Sequence, residues 1–141
     1  MKKSKKILLS LLVIGLVVGG IAFWYVDTKK PADIRKMEAN FEITSTKLVA
    51  DFNANEDSAN KKYMDKVIAV SGKISDITVD SSKATVILES GDPMAAVTCS
   101  FYDDEASKVK QLQKGTPVII KGNCTGKLMD VVLNKCSITK N

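Results

Sequence analysis

Three cysteines, a run of three acids and a scatter of lysines are the residues of this chain with chemistry to offer. Cys99, Cys124 and Cys136 make an odd number, and no two show the C-x-x-C spacing of a redox motif or a zinc knuckle. There is no histidine among the 141 residues. That excludes a His-centred triad, a His general base and every His-metal site. Asp103, Asp104 and Glu105 are adjacent carboxylates, and the first turn of a helix explains such a run through the unpaired N–H groups there. Asp130 follows a turn with no base or metal partner in view, so it reads as a local hydrogen-bonding residue. Ser90-Gly91-Asp92 lacks the spacing of a phosphate loop. No catalytic residue, cofactor or metal ligand is expected, and the chain reads as a non-enzyme.

The elements that would position any site begin with a leader. Ile7 to Val26, ILLSLLVIGLVVGGIAFWYV, carries no charge over twenty residues. As a helix it reaches about 30 Å, the thickness of a bilayer's hydrocarbon core. Lys2, Lys3, Lys5 and Lys6 precede it and Phe23, Trp24 and Tyr25 close it. Basic residues on one side and aromatics on the other predict a single span, with the N-terminus cytoplasmic and the rest outside, on the periplasmic face. The competing reading is a secretory signal cut after Ala22, since Gly20 and Ala22 are small residues behind an apolar stretch. Either way the remainder is exported. These lysines also account for most of the formal charge of +5, which leaves little basic excess for nucleic acid.

Residues 27–42 read as a polar linker containing Lys29, Lys30 and Pro31, and Pro31 prevents a helix from continuing with full backbone bonding. Ile43 to Met64 predicts a helix capped by Thr44 or Ser45, with Leu48, Phe52, Ala59 and Tyr63 on one face and a break near Asn55. After Met64 the period changes to two. Lys66–Asp76, running on toward Val79, is a first strand with Gly72 as a bulge or kink; Lys83–Glu89 is a second and Ala95–Tyr102 a third. A helix follows, with Asp103 as N-cap, Val109 and Leu112 as apolar positions and Gly115 as its stop. Thr116–Lys121 and Met129–Ile138 are the last two strands, joined through Gly122 to Gly126.

Five strands with a helix between the third and fourth is the order of the OB-fold, a five-stranded Greek-key barrel. The expected architecture is therefore mainly β: a transmembrane helix over 1–26, a linker over 27–42, and an OB barrel with an N-terminal helical extension over 43–141. Val97, Cys99 and Phe101 should face inward and Thr98, Ser100 and Tyr102 outward. An OB barrel closes by pairing its third and fifth strands, which brings Cys99 and Cys136 to one seam. Export makes a Cys99–Cys136 disulfide the preferred pairing. Cys124 competes for Cys136, and three buried inert thiols are the alternative.

The segment Asn60–Ile77, NKKYMDKVIAVSGKISDI, resembles the start of the bacterial tRNA_anti-like OB proteins, a helix ending in Tyr followed by a Lys-Val-x-x-Val-x-Gly strand. VTCSF at Val97–Phe101, LQKGTPVIIKG at Leu112–Gly122 and DVVLNKCSI at Asp130–Ile138 extend the resemblance over roughly Ile43 to Ile138. It implies an exported or membrane-linked single OB domain of unassigned ligand. By fold analogy the ligand surface would include Lys83, Thr98, Ser100, Tyr102 and Lys127. A protein, peptide or glycan suits such a surface. Single-stranded nucleic acid, the alternative, needs a basic groove and stacking aromatics. Asp65 to Thr139 carries nine lysines against nine acids, and Tyr102 alone is an outward aromatic there.

Overall fold

The computed structural model describes residues 2–27 and 33–140. The chain forms two compact units, Met1–Ala32 and Asp33–Asn141. The first is a single helix, α1 (Lys2–Asp27). Within Lys3–Asp27 an 18-residue window has a mean hydropathy of 2.6, and by length and composition the helix can cross a membrane. Lys29, Lys30 and Pro31, expected in a linker, lie outside the described residues.

The second unit contains β1 (Phe41–Thr44), α2 (Ser45–Ala54), α3 (Glu56–Tyr63), β2 (Val67–Asp80), β3 (Lys83–Leu88), β4 (Val97–Phe101), α4 (Ala106–Val109), β5 (Pro117–Lys127) and β6 (Val131–Lys140). The strands run in the order β2-β3-β4-β6-β5, and β5 pairs back onto β2 to close a five-stranded OB barrel. β2 is long enough to serve both ends of the closure. Val67–Lys73 pairs with β5, and Ile74–Asp80 pairs with β3. The change of partner falls beside Gly72, where an added Cβ would run into the Ser45 hydroxyl. The register slip itself sits between Ile74 and Asp76.

Alternation in β4 places Val97 and Cys99 fully inside and Phe101 almost so, against Ile74, Val86, Leu88, Val131 and Leu133. The helical extension covers this core. Leu48, Phe52, Ala59 and Tyr63 are all buried, and the break at Asn55 is a cap: its Oδ1 accepts from the Ser58 N–H at 3.0 Å. Tyr63 donates from its hydroxyl to Asp51 at 2.6 Å, tying α3 to α2. Burial, and then this bond, raise the Tyr63 pKa, while the same bond, aided by Lys47, holds Asp51 below the ordinary carboxylate value.

Four local expectations are corrected. Ile43 is in a strand, because β1 runs parallel to β2 from Phe41↔Ile68 to Thr44↔Ser71; the helix starts only at Ser45, with Thr44 Oγ1 accepting from the Lys47 N–H. Asp103 is not an N-cap. Asp103–Glu105 form a 3-10 turn, Tyr102 holds the cap position without a side-chain bond, and α4 is four residues long, leaving Leu112 beyond it. Gly122–Gly126 is not a loop but part of β5, with slips of register between Lys121 and Asn123 and between Cys124 and Gly126. Gly122 is required there: a Cβ would lie 2.5 Å from Cys136 Sγ. Finally, residues 33–42 do not behave as a linker, since Ile34 is buried and Asn40 bonds Val67 through both its N–H and its side chain.

Candidate binding face

The outward side of β2, β3 and β4 is built from residues directly opposite one another, which share a face. One row is Thr78, Thr85 and Ser100; the next is Asp76, Ile87, Thr98 and, on β6, Val132. Short β-branched and hydroxyl side chains suit a pleated, half-exposed surface. The charged residue in these rows, Asp76, pairs with Lys114 at 3.0 Å.

Thr98 and Ser100 thus stand on one face, as expected. The Thr98 hydroxyl donates to Asp130 Oδ2 at 3.0 Å, and Asp130 Oδ1 accepts from the Ala96 N–H at 3.0 Å. Asp130 therefore fastens the β5–β6 turn to the start of β4. Lys83 is exposed at the start of β3, opposite Asp80. Lys127 is at the other end of the face and is already engaged: its ammonium donates to Asn53 Oδ1 at 2.7 Å, and Asn53 donates to Asp92 at 2.7 Å. Lys127 thus ties the end of β5 to α2, and Asn53 ties α2 to the loop before β4.

Tyr102 lies just past β4, and its surroundings are the main surprise. The Arg35 guanidinium sits over its ring, 4.4 Å from the centroid. The Tyr102 hydroxyl accepts from the Ile34 N–H at 3.3 Å. Arg35 also donates to Asp33 from Nε and Nη2, to Asp104 at 2.7 Å and to Glu105 at 3.4 Å. Lys121 on β5 closes the strap by donating to the carbonyls of Arg35 and Met37 at 3.0 and 2.8 Å. The Arg35 bonds hold the Asp33 carboxyl down at about 2, and they raise the Arg35 pKa further. A recess of about 690 Å³ remains beside the ring, lined by Ser100, Asp103, Asp104 and Asn134 among others. A larger groove of about 710 Å³ lies away from this face, over Ala69 and Ser71 and flanked by Glu38 and Glu42.

Reading the sequence alone missed the strap, Asp33 to Met37. Its one local signal is Ile34, an isolated apolar residue in a polar stretch.

Cys99 and Cys136 are neighbours on β4 and β6, and with Cys124 they are buried free thiols. Burial and the adjoining Cys99 push the Cys136 thiol well up, and burial raises Cys124. Thiols held protonated in this way are poor nucleophiles. Among the described residues, no group of three or more Cys, Asp or Glu gathers as a metal site.

A model of the tRNA_anti-like family matches residues 1–138. No curated protein matches significantly. Among solved structures, a "putative nucleic acid-binding lipoprotein" from Klebsiella pneumoniae is 20% identical, covers 79% of this chain and 100% of its own, and superposes with a TM-score of 0.58. A "putative aspartyl-tRNA synthetase" from Leishmania major is 11% identical with a TM-score of 0.50, covering 87% of this chain but 26% of its own. At such identities the likeness is one of fold, the five-stranded barrel. The family match covers nearly the whole sequence, leader included, and the chain belongs to the tRNA_anti-like family.

Proposed function

We propose that this protein is a non-enzymatic binding module, held at the membrane by α1 with its barrel outside the cytoplasm. Its ligand is an extended chain met by hydrogen bonds on the outer face of β2, β3 and β4. The observation that carries this reading is the face itself: Thr78, Thr85, Thr98 and Ser100 display side-chain oxygens in two adjacent rows, with Ile87 between them. Fifteen Lys and Arg against fifteen Asp and Glu from Asp33 onward leave no field to steer a polyanion. The four leader lysines and the hydropathy of α1 support the anchored topology.

The test is a screen of uncharged peptides and neutral oligosaccharides with the labelled full chain in micelles. Hits should weaken about tenfold in the double variant Thr85→Val, Ser100→Val, the effect of one or two lost hydrogen bonds. Hits indifferent to both changes would place the ligand elsewhere.

A second reading, single-stranded nucleic acid, is favoured by the description of the Klebsiella relative as nucleic acid-binding. It would need Lys83, Lys127 and Tyr102 as contacts. Two of the three are engaged within the protein, Lys127 by Asn53 and Tyr102 by Arg35.

A further inference from the structure

At the Tyr102 end of the face, an aromatic plane and carboxylates converge on one cation. Arg35 sits over the ring and its Nη1 meets Asp104 at 2.7 Å and Glu105 at 3.4 Å. Glu105 is buried although charged: its side chain is 4% exposed, and its Oε2 has no protein hydrogen-bond partner. Lys108 reaches only Oε1, at 3.3 Å. A buried carboxylate oxygen without a donor is costly, and it marks acceptor capacity beyond what Arg35 uses. Asp33, which meets Arg35 at Nε and Nη2, belongs to the strap and would leave with it.

We propose that Tyr102, Asp104 and Glu105 form a guanidinium-binding site, filled in cis by Arg35, that takes an arginine of an extended peptide in trans when the strap lifts. The inference rests on the outer face being the ligand surface and selects a peptide as that ligand. A guanidinium fits because it is planar, stacks on an aromatic ring and presents a fork of donors; an ammonium has the charge but neither the plane nor the fork. Tethered in the same chain, Arg35 competes at an effective concentration on the order of millimolar. The site is therefore closed by default.

The experiment uses the full chain in micelles and reads nitration of Tyr102 by tetranitromethane, mapped by mass spectrometry. Arg35→Ala should nitrate about fivefold faster than the wild type, as expected for loss of one cation–π contact. Arg35→Lys, which keeps the charge, should fall between them, and Lys114→Ala, remote from the ring, should match the wild type. In Arg35→Ala, millimolar acetyl-Gly-Arg-Gly-amide should restore slow nitration, while the Lys tripeptide should not. An unchanged rate in both Arg35 variants overturns the covering of the ring. Equal protection by the two peptides, or none from either, overturns the guanidinium site. Loss of the cooperative melting transition in Arg35→Ala moves the peptide test to Arg35→Lys, with the same outcomes. Protection at Tyr102 without amide shifts at Thr85 and Thr98 on adding a longer arginine peptide would keep this site and refute the hydroxyl face.

Discussion

A methyl group added at position 122 has nowhere to go. The Cβ of Gly122→Ala would stand 2.5 Å from Cys136 Sγ, 3.2 Å from Leu133 Cβ and 3.3 Å from the Asn134 carbonyl. Cys136 and Leu133 are fully buried, so neither can swing out to solvent. Overpacking of this kind costs about 1–3 kcal/mol. Alanine also reduces the entropy of the unfolded chain, which returns ~0.4–1 kcal/mol. The net expectation is a loss of about 1–2 kcal/mol, or a melting temperature lower by roughly 4–10 °C for a domain of this size. Thermal melts of the reduced protein, followed by far-UV circular dichroism, measure it. The diagnostic step is the double variant with Cys136→Ala. That change alone should destabilise by about 1–2 kcal/mol through the lost buried thiol. Together the two should couple favourably by about 1 kcal/mol, because the thiol that blocks the new methyl is gone. Losses that simply add, to within about 0.5 kcal/mol, would refute the close approach of β5 and β6 at this point.

Other consequences follow from the same geometry. Asp33 and Asp51 sit below the ordinary carboxylate pKa, so each contributes stability that is present above about pH 4 and lost as pH falls through its folded value. For Asp33 that window runs from about 4 down to about 2, and the protection factors of the Ile34 and Arg35 amides, taken relative to intrinsic exchange at each pH, should fall across it; protection that persists to pH 2 would sink the assignment. Asp130→Ala removes the acceptor of both the Ala96 N–H and the Thr98 hydroxyl and should cost about 1–3 kcal/mol in urea melts, whereas an unchanged midpoint would mean the turn is held otherwise. Intact mass of the protein from its native host should include the whole leader, and a mature N-terminus at Phe23 would instead establish cleavage after Ala22.

Much of the barrel was legible because its signals are local. Alternation over Val97–Phe101 fixes which side chains enter the core, and Asn55 breaks the helical extension by capping its second half. What escaped was decided by partners far along the chain. Arg35 is explained by Asp104 and Tyr102, and its carbonyl by Lys121, residues 67 to 86 positions away; nothing around Arg35 announces them. Phe41–Thr44 becomes a strand because the edge of β2 that faces away from β5 is vacant there, a fact of the barrel and not of the four residues. Gly122 and Gly126 carry turn chemistry by type, yet they serve close contacts inside β5. The candidate face divides in the same way. Thr98 and Ser100 follow from alternation, whereas the covering of Tyr102 does not.

The central claim is that the hydroxyl rows of this face meet their ligand through hydrogen bonds rather than through attraction for a polyanion. One titration tests it most directly: fluorescein-labelled dT12 against the full chain in micelles, read by anisotropy as salt is lowered. With a neutral domain and a covered Tyr102, no saturable binding should appear even at low salt. Binding that strengthens steeply as salt falls and disappears in Tyr102→Ala would contradict the claim and identify the module as a single-strand binder.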